Sequence, residues 1–214
     1  MKRHRLFALV YDGIARTAHG WEEAYRRELC RDARGMVLEL GVGTGLNFRH
    51  YGPAERVVAV EPEPIMIRRA VQRATVASVP TSLIRARAER LPFPAASVDT
   101  VVCSLMLCSV EGLEAAVTEC RRVLRPGGTL RFYEHVRSES DRVGRFQDVI
   151  ERPWGFFAGG CHPNRDITRV LADLGFEIDL RRFDPPVWGG GLLPHVIGAA
   201  TLPAGGGQLR PSGP

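Results

Sequence analysis

The run Glu39-Leu40-Gly41-Val42-Gly43-Thr44-Gly45 has the residue types of a ligand cradle. Glycines let a turn bring its backbone close to a bound molecule, and a helix opening after the turn would offer free N–H groups. Leu46 stands where the dinucleotide fingerprint asks for glycine or alanine, which argues against a pyrophosphate. Glu39 precedes the turn by two residues, where an acid can meet an ammonium group. Glu61-Pro62 ends the next apolar run, 20 residues after Gly41, and a carboxylate there can accept both hydroxyls of a ribose. Ala88-Glu89 follows a third run, and Glu89 can take the exocyclic amine of adenine. Together these describe a ligand with an amino acid end, a ribose and an adenine.

A second group of residues could serve a reacting partner. His135, Trp154, Cys161, His162, Arg165 and His195 fall in glycine-rich or strand-end segments, with Tyr11 near the start. Trp154, Phe156 and Phe157 offer an apolar wall, and Arg165 with the histidines offers positive charge. No carboxylate–histidine pair stands out. The cysteines number 5, at 30, 103, 108, 120 and 161, with no CxxC and no zinc spacing, so no metal is expected.

These residues need a frame. Short apolar runs at 37–40, 57–60, 82–84, 98–103 and 129–134 read as strands. Helical runs lie between them at 63–78 and 111–124. Residues 4–34 also read helical, and a helix over 141–150 should lead into an aromatic, glycine-rich loop at 154–160. A helix over 166–174 precedes two β-like runs, 176–180 and 195–201, expected to form a hairpin at the sheet edge. Strands alternating with helices mean a doubly wound α/β fold with a parallel sheet covered on both faces. The expected organisation is an N-terminal helical segment over 1–36, a catalytic domain over 37–201 and a disordered tail over 202–214.

The 214-residue chain is 44% hydrophobic and 25% charged, which suits a folded domain and excludes a disordered or collagen-like one. No stretch reaches the roughly 18 uncharged apolar residues of a membrane span, and the basic N-terminus lacks a signal-peptide core. A cytoplasmic protein, monomer or homodimer, is the expectation. Net charge is +5, nearly all from arginine, but the basic residues are scattered and interleaved with acids. That suits solvated helix faces better than a nucleic-acid stripe.

Four motifs carry a resemblance: E-L-G-V-G-T-G at 39–45, V-E-P at 60–62, A-E-R-L-P-F-P-A-A-S-V-D at 88–99, and R-V-L-R-P-G-G-T-L at 122–130. The chain resembles the class I S-adenosylmethionine-dependent methyltransferases. Residues 101–110, Glu134-His135-Val136, Trp154, Gly160-Cys161, Arg165 and Pro194-His195-Val196 make it similar to their small-molecule, thiol S-methyltransferase-like branch. The resemblance implies a Rossmann-like sheet of seven strands with the last antiparallel, and S-adenosylmethionine as cofactor. It implies that Glu39, Gly41, Gly43 and Gly45 hold the methionine end, Glu61 and Pro62 the ribose, and Ala88 and Glu89 the adenine. Ser104 and Leu105 would lie beside the sulfonium. His135, His195 and Arg165 become candidate catalytic groups, and Tyr11, Trp154, Cys161 and His162 candidate acceptor contacts. The better-known members of that branch carry an apolar membrane anchor before the domain, which is not expected here.

A thiol of pKa about 8.5 costs roughly 2 kcal/mol to ionise at pH 7, and a phenol or alcohol about 4 kcal/mol or more. With no strong base in view, a small lipophilic thiol is the expected acceptor. O- or C-methylation of a phenol or quinol, an RNA methyltransferase and a non-catalytic cofactor-binding protein remain as alternatives. A dehydrogenase is disfavoured by Leu46.

Overall fold

In the computed structural model, which describes residues 21–186 and 189–204, seven strands form one sheet in the order β3-β2-β1-β4-β5-β7-β6. They are β1 (Gly35–Leu40), β2 (Ala54–Val60), β3 (Thr81–Ile84), β4 (Val98–Ser104), β5 (Leu124–His135), β6 (Glu177–Phe183) and β7 (His195–Thr201). The first five are parallel, and β7 lies antiparallel between β5 and β6. The expected fold and C-terminal hairpin are both present.

The helices are α1, over residues 21–31, then α2 (Pro64–Ala74), α3 (Leu113–Val123), α4 (Asp141–Phe157) and α5 (Ile167–Asp173). Among the described residues no helix is long and apolar enough to cross a membrane. Tyr11, most of the 1–36 segment and positions 205–214 of the tail lie outside the described residues.

Strand side chains alternate between faces, and both faces are covered, which is why the strands read as continuous apolar runs. Leu38, Leu40, Val101, Cys103, Leu130 and Phe132 pack on one side against Ala116, Val117 and Cys120 of α3 and Ile167 and Leu171 of α5. Val37, Val57, Ala59, Val102 and Tyr133 pack on the other against Leu29 and Cys30 of α1 and Ala70 of α2.

Two local expectations fail. No α-helix opens after the glycine turn: only a 3-10 turn, Phe48–His50, fits before Gly52-Pro53 and β2. And α4 does not stop at residue 150 but continues through Pro153 to Phe157. A proline removes only its own N–H from the ladder, and the Ala158 N–H still reaches the Trp154 carbonyl at 2.8 Å.

From β1 the chain winds outward to β2 and β3, then crosses back to place β4 on the other side of β1. The strand order thus reverses between β1 and β4, and in doubly wound sheets the crevice beyond the carboxyl ends at that point takes the ligand.

Candidate active site

The turn after β1 has three glycines with positive φ: Gly41 at 60°, Gly43 at 57° and Gly45 at 83°. A Cβ on Gly41 would come within 2.7 Å of the Met106 side chain, and one on Gly45 within 2.7 Å of the Phe48 ring. The Gly45 N–H closes the turn on the Val42 carbonyl at 3.0 Å. The Gly43 N–H points to Glu61 at the end of β2 and donates to Oε2 at 3.0 Å, while the Glu63 N–H donates to Oε1 at 2.9 Å. Burial raises the pKa of Glu61, and these two amides oppose it.

Glu39 lies beneath the turn, only 1% exposed. Its oxygens accept from Asn47 Nδ2 at 2.8 Å and from the Tyr51 hydroxyl at 3.0 Å. Burial pushes its pKa up to about 7 against those two bonds and the nearby Arg26 charge. Arg26, on α1, donates to Glu22 at 2.8 Å, Asn47 at 3.2 Å and Ser104 at 3.1 Å, and so ties α1 to the ends of β1 and β4. Glu89 Oε1 accepts the N–H groups of Glu111 at 3.2 Å and Gly112 at 3.3 Å. Its burial would raise the pKa, but its own amide, that of Gly112 and the Arg87 guanidinium outweigh it and leave the carboxyl below its ordinary value.

Beyond β4, Leu105 sits at φ 53°, a conformation that costs a branched side chain of order 1–3 kcal/mol and persists only when over-determined. Three anchors hold it and the residues that follow. The Leu105 N–H donates to the Tyr133 carbonyl at 2.7 Å. Glu134, fully buried at the end of β5, accepts from the Met106 and Leu107 amides at 2.9 Å each and from Cys108 at 3.1 Å. Burial raises its pKa and the three amides pull it back. Arg165 donates to the Leu107 carbonyl at 2.7 Å from the other side.

His135, next along β5, places Nδ1 at 3.2 Å from Cys161 Sγ and 3.8 Å from Cys108 Sγ. Burial opposes charge on His135, but the Cys108 sulfur and Glu134 outweigh it and lift its pKa. The Cys108 sulfur holds the Cys161 thiol below its ordinary range, while Cys108 itself is pushed up by that contact and by burial. His195 stacks edge-on against His135 with ring centroids 4.4 Å apart. Its Nδ1 donates to the Leu193 carbonyl at 2.8 Å, and burial, aided by His135, pushes its pKa down to about 3.

These groups surround a cleft of ≈ 560 Å³. Of the sequence-predicted residues it brings together Gly41, Gly43, Glu61, Pro62, Ala88, Glu89, Ser104, Leu105, His135, Trp154 and Cys161. Glu39, Gly45, His162, Arg165 and His195 do not line it. Glu39 and Gly45 shape the turn from below, Arg165 props the loop after β4, and His195 backs His135. His162 Nδ1 pairs with Glu151 of α4 at 2.5 Å, a carboxylate–histidine pair that sequence spacing did not reveal. Sequence reasoning also missed Glu22, Met66, Cys108 and Glu111 on the cleft wall, and Asn47, Tyr51 and Arg26 behind it. Glu134 stood in a matched motif, but its role as an anchor of three amides had no sequence signal.

Among the described residues, five glutamates line the cleft (22, 61, 63, 89 and 111) against one arginine, Arg87. That charge balance repels a pyrophosphate or nucleic-acid backbone and suits a ligand that carries cationic groups.

Residues 38–132 match the family described as a methyltransferase domain. The chain is 34% identical over 198 residues to the thiol S-methyltransferase TMT1B of Homo sapiens, covering 84% of this chain and 79% of that protein. It is 32% identical to the ubiquinone/menaquinone biosynthesis C-methyltransferase UbiE of Syntrophotalea carbinolica, over 53% of this chain and 49% of that protein. Among solved structures, an S-adenosylmethionine-dependent methyltransferase of Mesorhizobium loti superposes with a TM-score of 0.63 at 21% identity, covering 85% of this chain and 98% of that one.

Proposed function

This chain belongs to the class I S-adenosylmethionine-dependent methyltransferases, and we propose that within that family it methylates the sulfur of a small lipophilic thiol. S-adenosylmethionine supplies a methyl group already activated on a sulfonium. The cleft suits it, since a cationic ligand meets an excess of carboxylates there.

In this reading Gly41 and Gly43 back the methionine end, where any side chain would fill the space. Glu61, with Pro62 beside it, accepts the ribose hydroxyls. Its two amide donors aim the carboxylate and oppose the rise in pKa that burial causes. Ala88 forms the adenine face, and Glu89, held ionised, takes the exocyclic amine. Ser104 and Leu105 stand beside the sulfonium.

The observation that carries the acceptor assignment is the character of the cleft's other end. There Trp154, Phe157 and Ala158 supply apolar wall, and among the described residues His135, Cys108, Cys161 and Ser109 stand beside it with Glu22 as a single carboxylate rather than a carboxylate pair. Phe157 is 76% exposed, so the apolar wall continues to the surface, where a lipophilic molecule could enter. The alignment of acceptor and methyl donor can supply up to about 7–11 kcal/mol. A thiol asks for little more.

A phenol or quinol is the second reading. His135 in the cleft could act as its base, and the similarity to a quinone-biosynthesis C-methyltransferase favours it. The test is labelled methyl transfer to a panel of alkyl and aryl thiols, phenols, quinols, amines and RNA. Thiols should be methylated fastest. RNA methylated with every thiol inert would overturn the reading.

A further inference from the structure

Two thiols and an imidazole converge at the acceptor end of the cleft, and nothing in the spacing of the cysteines announces it. Cys108, His135 and Cys161 stand 26 and 27 residues from one another, yet their ligand atoms all lie within 4.8 Å. Tetrahedral zinc with Zn–S of about 2.3 Å and Zn–N of about 2.0–2.1 Å sets neighbouring N and S atoms about 3.6 Å apart. The two N···S distances, 3.2 and 3.8 Å, bracket that value. We propose that Cys108, His135 and Cys161 bind one Zn²⁺ ion, and that its fourth position takes the sulfur of the acceptor thiol.

Thiolate and imidazole ligands select zinc over the hard cations. Three protein ligands with an open fourth place are the pattern of catalytic rather than structural zinc. All three residues line the cleft, so the open place is within reach of a bound molecule. The supports that hold metal ligands in place are also present. The Cys108 amide is fixed by Glu134, and the Cys108 carbonyl accepts the His162 N–H at 2.7 Å. The positive charge of Arg165 acts on the Cys161 sulfur. Two thiolates neutralise the ion, and Arg165 offsets the charge that a third thiolate brings.

The acceptor role rests on the thiol reading above; the metal site does not. On binding, the acceptor S–H bond breaks and its proton leaves to solvent. A lone pair of the acceptor sulfur then forms the new S–CH₃ bond as the bond from methyl to the donor sulfonium breaks, that pair staying on the donor sulfur. The neutral thioether product is a weak ligand and departs. Coordination thus does the work that a general base would otherwise do.

The experiment uses the full chain, kept reduced with a phosphine, equilibrated with zinc and freed of unbound metal. Atomic absorption should find about one zinc per chain. Cys108→Ser, Cys161→Ser and His135→Gln should each lower affinity at least about tenfold, since even a ligand's supporting partner is worth that much. Cys120→Ala, on the core face of α3, should not. Cobalt in place of zinc should give a sulfur-to-metal charge-transfer band that weakens by about half in each cysteine variant. A melting shift with S-adenosylhomocysteine, retained in the variants, shows that they fold. A wild-type chain without zinc, or one whose two cysteines form a disulfide that excludes it, overturns the site whatever the thiol assay gives. Zinc bound but equal thiol turnover after its removal overturns the acceptor role. Zinc bound with every thiol inert overturns the thiol reading and leaves the metal site standing.

Discussion

At the end of the cleft formed by β1, β2 and the segment after β3, backbone holds carboxylate: Gly43 and Glu63 amides on Glu61, Glu111 and Gly112 amides on Glu89. At the end formed by β4 and β5 the relation is reversed, and one carboxylate, Glu134, holds three successive amides. There the groups facing the cleft are side chains set by other side chains. An end built on backbone needs glycine at fixed places and leaves a motif in the sequence. An end built on side chains can be assembled from any elements that the fold brings near.

The largest effect should come from filling the backbone end. Gly43 has φ 57° and lines the cleft. Gly43→Val should strain the turn by about 1–3 kcal/mol. It should also weaken S-adenosylhomocysteine more than about 100-fold, or about 2.7 kcal/mol, by occupying its space. Calorimetric titration decides it. An unchanged affinity would mean that the turn is not where the cofactor lies.

Glu61→Ala tests the same end more gently. Hydrogen bonds to a charged group are worth about 1.5–3 kcal/mol, so cofactor affinity should fall by roughly 10- to 150-fold. The freed Gly43 and Glu63 amides face the cleft and can turn to water, so the melting temperature should barely move. A large loss of stability at unchanged affinity would make Glu61 a strut of the turn.

The same contrast explains what could be read from the sequence. Gly41, Gly43, Glu61 and Glu89 were legible because each acts within a few residues of a strand end, and strand ends show in the hydrophobic pattern. Even there, the absent helix after Gly45 was not, because the pattern does not count the residues left before β2. Cys108 was invisible as a partner of Cys161: only the β5 register and the Cys108 carbonyl bond to His162 bring them together. Arg165 and His195 were rightly placed near this end, but residue type could not distinguish touching the cleft from bracing it. The continuation of α4 past Pro153 was hidden because proline usually marks a boundary.

Glu134→Gln probes the reversed end. Glutamine keeps one acceptor oxygen but turns an amide donor toward the Cys108 N–H. One buried N–H then loses its partner, at about 1–3 kcal/mol. Chemical denaturation should show that loss. Turnover should fall more than S-adenosylhomocysteine affinity, because the loop after β4 carries acceptor-end groups. Equal losses in both would mean that the two ends are mechanically one.

The smallest effect isolates a side chain that braces this end without facing the cleft. Burial holds His195 neutral, with its pKa pushed down to about 3 from the 6.5 of a free histidine. A depressed pKa contributes stability that is present above pH 6.5 and is lost as pH falls toward 3, because the unfolded chain takes up a proton that the folded chain refuses. Between pH 7 and 6 this one group should cost about 0.7 kcal/mol. His50, also pushed down by burial, adds to the acid sensitivity and His135, pushed up, opposes it, so the informative quantity is the difference from His195→Phe. Phenylalanine can keep the stack with Tyr133 and Phe183, whose rings lie 5.4 and 5.6 Å from the imidazole, but it cannot take the proton. Its loss of stability from pH 7 to 6 should therefore be smaller than the native chain's by that amount. Its bond to the Leu193 carbonyl goes too, but that loss is the same at both pH values and cancels from the difference. Identical slopes in the two proteins would show that His195 already titrates freely in the fold, and that this end of the cleft is open to water behind His135.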